Sequence, residues 1–223
     1  MRPAALLLAT LLAAPATSPS SALRVKASAV ARPCVATAAA LFERSTGHAV
    51  AVQTGALEAA TSADGSDVVV GAIEELTRVL ESGASDLAVD AEIATIPWVA
   101  LGAPAGSDLR ALARSAVPLR MLGGVVAREA RRSLAGQGIE PRRLGTLAAA
   151  AGPLRPAAGE YLIVPLSLAG RGTTAALAVP PLTIRAAAVR ATPRPGEARA
   201  FVEFLTAGAG NEAFRACGRE AAR

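Results

Sequence analysis

The feature that most constrains this chain is an alternation of short apolar strand patterns with longer helical patterns, which begins near residue 23. The pattern predicts a strand over 23–28, a helix over 33–45 and a strand over 49–52. It continues with a buried strand over 67–71 and a helix over 73–80. Such alternation predicts an α/β protein with a largely parallel sheet.

The rest of the chain follows the same pattern. Residues 93–101 form an apolar run that contains Pro97, so we interpret it as an edge strand or a crossing rather than a central strand. The further predicted elements are helices over 108–114, 125–135 and 142–151, strands over 117–122, 161–164 and 182–189, and closing helices over 197–206 and 211–217.

Two proline-containing stretches have the character of connections between lobes. They are Pro97 with Trp98, and Pro180 with Pro181. A chain that crosses twice has a first lobe made of residues 23–96 and 182–223 and a second lobe made of residues 97–181. Hinge-bending binding proteins close around a ligand through such connections. A single α/β domain with two proline-bearing loops is the alternative, and the local pattern does not separate the two.

Residues 1–22 have the three parts of a secretory signal peptide: Arg2, an apolar run over 4–14 and small residues before a cleavage site near Ala22. The apolar run is shorter than the roughly 20 residues that span a bilayer. We therefore expect an exported protein, periplasmic or extracellular, that is not embedded in the membrane. No cysteine directly follows the cleavage site, which argues against a lipid anchor.

Composition narrows the range of partners. The residues are 52% hydrophobic but only 3% aromatic, so the core must consist mainly of Ala, Val and Leu. The net charge of +5 comes from scattered arginines. The densest group, Arg128, Arg131, Arg132, Arg142 and Arg143, is more typical of a solvated helix face than of a nucleic-acid interface. It could also steer an anionic solute towards the protein.

The order of segments resembles that of the periplasmic molybdate-binding proteins of ABC transporters, within the type II solute-binding superfamily. Residues 23–50, including Leu41-Phe42-Glu43 and Thr46-Gly47, resemble the opening strand, helix and strand of that family. Residues 66–71 and 74–83 resemble its next strand and helix, and 197–205 with 211–214 resemble its closing helices. The resemblance implies two lobes, each with a mostly parallel sheet flanked by helices and shortened relative to the family.

The pocket departs from the family pattern. Family members hold their oxyanion with hydroxyl groups and backbone N–H groups at helix N-termini. An alignment through Phe42 places Val30 where the family has its binding serine. The family's Ile-Val-Tyr strand end is replaced by Ile163-Val164-Pro165, so the ligand-contacting tyrosine that the resemblance implies is missing. The resemblance therefore supports the fold more strongly than the ligand.

The remaining candidates for an anion site are small or hydroxyl residues in loops that follow strands. Glycine at such a turn allows close backbone approach, although it can equally serve the turn alone. The candidate ligand-binding residues are Ser28, Thr54, Gly55, Gly123, Gly124 and Ser167.

No pattern of catalytic residues is found. His48 is the only histidine, and no Gly-x-Ser-x-Gly turn presents a serine nucleophile. One histidine and two distant cysteines do not form a zinc motif. We expect no enzyme activity, no cofactor and no metal site.

The sequence leads to two hypotheses about function. The first is a monomeric solute-binding component of an ABC-type uptake system that binds a small ligand, possibly a molybdate-like oxyanion, and delivers it to a membrane permease. The second is a binding-protein fold with an eroded pocket that acts as a periplasmic accessory or protein-interaction module.

Cys34 and Cys217 are the only cysteines. In the family that the chain resembles, both corresponding helices belong to the first lobe, which implies a Cys34–Cys217 disulfide in an oxidising compartment. Two buried free thiols are the alternative.

Overall fold

The computed structural model describes residues 22–57, 65–83, 87–148, 153–169 and 174–220. The predicted signal peptide lies outside these residues, apart from Ala22. The strands are β1 (Leu23–Ala27), β2 (Val50–Thr54), β3 (Val68–Ala72), β4 (Leu87–Ile96), β5 (Trp98–Leu101), β6 (Leu119–Leu122), β7 (Leu144–Leu147), β8 (Tyr161–Pro165), β9 (Thr174–Ala176) and β10 (Leu182–Val189). The α-helices are α1 (Arg32–Thr46), α2 (Ile73–Glu81), α3 (Leu109–Arg114), α4 (Arg128–Gly136), α5 (Pro195–Thr206) and α6 (Gly208–Glu220). Within the described residues, no helix is long and apolar enough to span a bilayer.

The strands form two five-stranded sheets of the same design. The first has the order β2-β1-β3-β10-β4 and the second the order β7-β6-β8-β5-β9. In each sheet the first three strands are parallel, and the last two pair antiparallel. The predicted α/β class with two helix-flanked sheets is confirmed. The sheets are mixed because β10 and β5 arrive from the opposite sheet, not through a crossover helix within their own sheet.

The chain passes between the sheets at both predicted crossings. Pro97 separates β4, an edge strand of the first sheet, from β5 of the second, and Pro180–Pro181 lead into β10. Leu182 pairs with Ile96, so the two connections run side by side. We call the first sheet with its helices lobe one and the second sheet with its helices lobe two. On this basis we propose the boundaries 23–96 with 182–223, and 97–181.

The predicted helix over 142–151 is wrong in its described part. Residues 141–143 form a 3₁₀ helix, and Leu144–Leu147 form β7, which pairs in parallel with β6. Leu144 and Leu147 have a helical spacing, which is why the sequence predicted a helix. Both are buried, but they belong to an edge strand of the second sheet. Strand β9 was not predicted, because three small residues carry no periodicity.

The core of lobe one contains most of the chain's few aromatic residues. Phe42 of α1 contacts the rings of Phe201 and Phe204 edge to face, with centroids 5.1 and 5.3 Å apart. Phe201 and Leu205 are fully buried. The predicted packing of the closing helices into the first lobe is thus confirmed.

A disulfide joins the beginning of the fold to its end. Cys34 lies in the first turn of α1 and Cys217 in α6, and their Cα atoms are 5.2 Å apart. The bond spans 183 positions of the sequence. In a chain-entropy account, a bridge that closes so long a loop stabilises the fold mainly by restricting the unfolded chain.

We expect the Cys34→Ala/Cys217→Ala double variant to lose up to about 5 kcal/mol of unfolding free energy, because the unfolded chain regains its loop entropy. Urea unfolding of the mature protein measures the loss. Mass spectrometry after alkylation provides the control: two alkylated thiols in native, unreduced protein would show that the bond does not form.

A buried carboxylate makes a second connection between the same regions. Asp67, which is 0% exposed, lies just before β3. Its Oδ2 accepts hydrogen bonds from the Arg24 backbone N–H and from Arg194 Nη2, each at 2.7 Å. Its Oδ1 accepts a hydrogen bond from Thr192 Oγ1 at 2.5 Å. Asp67 therefore links β1 and β3 to the loop between β10 and α5.

We expect Asp67→Ala to destabilise the protein by about 3–5 kcal/mol, since it leaves the Arg194 guanidinium without its buried partner. Asp90→Ala is the matched control, because the Asp90–Arg185 ion pair is 35% and 31% exposed and is expected to be worth about 0–1 kcal/mol. Equal losses in chemical unfolding would contradict the role assigned to Asp67.

Candidate functional site

The candidate site lies where the carboxyl ends of parallel strands from the two lobes face each other. Helix α1, which follows β1, packs against the 3₁₀ helix at Leu166–Leu168 that follows β8. Helix α2, which follows β3, packs against the 3₁₀ helix at Val125–Ala127 that follows β6. Ligands of open α/β sheets bind at such strand ends. We call this region, residues 28–32, 71–81, 123–132 and 165–168, the inter-lobe cleft.

A direct hydrogen bond closes part of the cleft. Ser167 Oγ donates to the backbone carbonyl of Val30 at 2.7 Å, and the two residues are 6% and 2% exposed. We call this contact the Val30–Ser167 clasp. Val30 occupies the position where the sequence comparison placed a binding serine. The Val30 carbonyl of lobe one thus accepts the hydrogen bond of the Ser167 hydroxyl of lobe two, which a ligand would otherwise accept.

Ser28 lies at the cleft but is enclosed. Its carbonyl accepts hydrogen bonds from the N–H groups of Ala31 and Arg32 as α1 begins. Its hydroxyl is buried and has no hydrogen-bond partner. A Cβ on Gly71 would lie 3.3 Å from Ser28 Cβ and 2.4 Å from Leu57 Cδ1, so Leu57, Gly71 and Ser28 pack closely. Glycine at position 71 is what allows Leu57 to pack there.

Thr54 and Gly55 lie at the end of the edge strand β2. The Gly55 N–H donates to the Ala27 carbonyl at 3.4 Å, and a Cβ on Gly55 would lie 3.1 Å from Lys26 Cε. Thr54 is exposed. Neither residue lines the two grooves described below, and none of the other four candidates from the sequence lines them either.

The two glycines after β6 have different environments. Gly123 donates its N–H to the Leu147 carbonyl at 2.9 Å, and a Cβ there would lie 2.7 Å from Thr146 Cγ2. It therefore serves the close approach of β6 and β7. Gly124 has a φ of +86° and open space around it. Its backbone remains available to a ligand in the cleft.

A charged groove of about 440 Å³ occupies the part of the cleft between α2 and α4. Its lining residues from lobe one are Ile73, Glu74, Thr77, Arg78 and Glu81, and those from lobe two are Val125, Arg128, Glu129 and Arg132. Sequence reasoning missed this groove, because it assigned the arginines to a solvated helix face. One feature of the sequence could have indicated the groove: the lining residues of α2 and those of α4 each follow the carboxyl end of a strand.

Glu74 is the most perturbed group of the charged groove. Burial raises its pKa above the ordinary value of 4.5, and the carboxylate of Glu129 across the cleft raises it further, while the backbone N–H of Glu74 itself opposes the shift. One carboxylate oxygen, Oε2, is buried without a hydrogen-bond partner. The two lobes therefore present carboxylates to each other at this point.

The arginines of the sequence cluster separate into three groups. Arg131 donates to the carbonyls of Met121 and Leu144, and Arg143 donates to those of Ala113 and Ser115, so both hold lobe two together. Arg142 pairs with Glu140 on the surface. Arg128 and Arg132 remain, and both are exposed at the charged groove.

A second groove of about 440 Å³ lies beside the hinge. Its lining is mostly apolar and includes Cys34, Pro97, Leu166 and Phe214, with Arg215 as its charged member. The groove thus adjoins the disulfide and one of the two chain crossings.

Comparisons with known proteins identify the fold. The structure is similar to the periplasmic molybdate-binding protein of Azotobacter vinelandii, with a TM-score of 0.70, 16% sequence identity, and coverage of 88% of this chain and 97% of that one. It is also similar to Peb3 from Campylobacter jejuni (TM-score 0.68, 15% identity, 88% and 98% covered). The sulfate-binding protein of Mycobacterium tuberculosis gives a TM-score of 0.59 at 17% identity, with 88% and 85% covered.

These likenesses show that the chain has the two-lobed fold of type II periplasmic binding proteins, as the segment order predicted. The sequence itself matches no protein-family model and no curated protein. At such low identities the comparisons define the architecture and not the ligand.

We expect Ser167→Ala to weaken closure of the lobes, because the Val30 carbonyl loses its buried donor; hydrogen bonds of this kind contribute about 0.5–1.5 kcal/mol. Small-angle X-ray scattering should show a larger radius of gyration than that of the wild-type protein. Ser45→Ala, which removes a hydroxyl bond to the Phe42 carbonyl within lobe one, is the control and should leave the radius unchanged. Equal radii for all three proteins would contradict a closing role for the clasp.

Proposed function

We propose that the chain is the exported solute-binding component of an ABC-type uptake system and binds a small ligand between its two lobes. The observation that carries this proposal is the cleft itself: strand ends of two similar sheets face each other, and two adjacent connections join the sheets. Lobes joined in this way can close around a ligand by hinge bending. The proteins with similar structures include binding proteins for molybdate and sulfate, which supports the same type of role.

The oxyanion version of the proposal uses the donors at the strand ends. Ser28, Gly123, Gly124 and Ser167 lie at the cleft, and Gly124 has open space around its backbone. For Ser167 to donate to an oxyanion, the clasp must open, and the buried Ser28 must become accessible to the ligand. Thr54 and Gly55 would have to act from the edge of lobe one. A molybdate-like ligand therefore requires a rearrangement of the closed cleft.

The Val30–Ser167 clasp specifically favours a second candidate function. A cleft in which the two lobes bond directly to each other needs no solute to stay closed. In this alternative, the binding-protein fold serves as a periplasmic accessory or protein-interaction module.

The partner in the leading proposal is a membrane permease, and the location is the periplasm or the extracellular space, with the protein acting as a monomer. The proposal includes no catalytic step. His48, the histidine considered above, is exposed and stacks on Phe42 with centroids 6.5 Å apart, away from the cleft.

A thermal-shift screen of the mature protein separates the two functions. The panel contains molybdate, tungstate, sulfate, phosphate, organic acids and amino acids. A ligand at 100 times its dissociation constant adds about 2.7 kcal/mol to the unfolding free energy, so a true ligand should raise the melting temperature clearly. Silence across the whole panel would reject the solute-binding proposal in favour of the accessory module.

A further inference from the structure

The charged groove carries equal numbers of positive and negative side chains. Lobe one contributes Glu74, Glu81 and Arg78, and lobe two contributes Arg128, Arg132 and Glu129. The charges are complementary across the cleft, since lobe one presents an excess of carboxylates and lobe two an excess of guanidinium groups. An anion would meet the carboxylates of Glu74 and Glu129, and a cation would meet the arginines. A ligand that carries both charges meets neither penalty if it is oriented correctly.

Within the described residues, the facing carboxylates of Glu74 and Glu129 form no ion pair. Glu74 Oε2 is buried with no donor, and Glu129 of the opposite lobe lies near enough to raise the pKa of Glu74. A group that donates hydrogen bonds and carries positive charge would relieve both the unsatisfied oxygen and the repulsion. Two carboxylates, one from each lobe, meet at this point, which suits an ammonium group.

The guanidinium side has room for an anionic group. Arg128 and Arg132 are four residues apart on α4 and so lie on the same helix face. In the part of the chain that the structure describes, neither side chain has a hydrogen bond or an ion pair. Guanidinium groups bind carboxylates through paired N–H donors, which makes two adjacent arginines a suitable carboxylate site.

Size and polarity set the remaining limits on the ligand. The volume of about 440 Å³ is in the range of about 300–1,000 Å³ found for small-molecule sites. Ile73 and Val125 supply apolar lining from the two lobes, and Thr77 supplies a hydroxyl. This lining fits a short apolar or weakly polar middle portion between the two charged ends.

We propose that the charged groove binds a small amino-acid-like zwitterion, with its ammonium group between Glu74 and Glu129 and its carboxylate on Arg128 and Arg132. This inference rests on the proposed solute-binding function and names the chemical class of the solute. Because the ligand contacts both α2 and α4, it binds best when the lobes are closed. The binding residues differ from the hydroxyl and glycine residues that the sequence indicated for an oxyanion.

The proposal predicts a direction for the pH dependence. The charged groups that share the groove with Glu74 are Arg78 and Glu81 on α2, and Arg128, Glu129 and Arg132 on α4. An ammonium ligand favours the ionised form of Glu74, whereas burial favours the protonated form. Affinity should therefore fall as the pH drops through the raised pKa of Glu74, while a ligand that lacks an ammonium group should not show this loss.

Isothermal titration calorimetry on the mature protein tests the inference. Amino acids are compared with amines that lack the carboxylate, with carboxylic acids that lack the ammonium group, and with molybdate and sulfate. We expect measurable binding of at least one amino acid. We also expect Glu74→Gln and Arg128→Gln each to weaken that binding by about tenfold or more, as for the loss of a charged hydrogen bond. Glu203→Gln and Arg199→Gln, exposed on α5, are the matched controls and should bind normally.

The melting temperature of the Glu74→Gln variant shows whether its weaker binding results from misfolding. When the pKa of a carboxyl group is raised in the folded state, the unfolding free energy of the protein falls as the pH rises through that pKa. A neutral glutamine avoids this loss, so Glu74→Gln should raise the melting temperature at neutral pH. Amino-acid binding that survives Glu74→Gln, or binding of oxyanions with no response to any zwitterion, would overturn the inference and leave the solute-binding proposal standing. Silence to every ligand would overturn both.

Discussion

Lobe one is assembled from two distant parts of the chain, so the fold depends on the interactions that hold residues 182–220 against residues 22–96. The Asp67 carboxylate is central among them, because it is fully buried and accepts hydrogen bonds from both parts. A buried charge of this kind is tolerated only when its partners are in place. The Cys34–Cys217 disulfide acts on the same two parts from the helical face. Together they hold β10 between β3 and β4.

The position of β10 in turn determines how the lobes are joined. Because Leu182 pairs with Ile96, the chain leaves and re-enters lobe one at neighbouring points of the same sheet. Two adjacent connections that run antiparallel can act as a hinge, about which one lobe rotates against the other. The contacts across the cleft, the clasp and the packing of α2 on residues 125–127, then decide whether the lobes stay closed. Lobe-one stability and cleft geometry are therefore linked through a single strand.

Most of the fold could be predicted from the sequence, because strand and helix periodicities are strong where one face is buried. The helix with Val35, Ala38, Ala39 and Phe42 on one face is an example, as those residues are buried. Leu144 and Leu147 have a helical spacing, and only the pairing with β6 shows that the segment is a strand. The site was harder to predict from the sequence. Glu74 faces Glu129 and Ser167 bonds to Val30 across the cleft. These are contacts between distant segments, which no local sequence pattern contains.

The differences from an oxyanion site have a common physical basis. Neutral hydroxyl and backbone donors bind an anion well only if no acceptor competes and no like charge lies near. Here the Val30 carbonyl takes the Ser167 hydroxyl, and the Ser28 hydroxyl is buried. The accessible volume between α2 and α4 is lined instead by carboxylates, whose field opposes an anion, and by arginines that cannot balance it at every point. Loss of the neutral donors and gain of paired charges thus act in the same direction, away from oxyanions and towards a ligand that carries both charges.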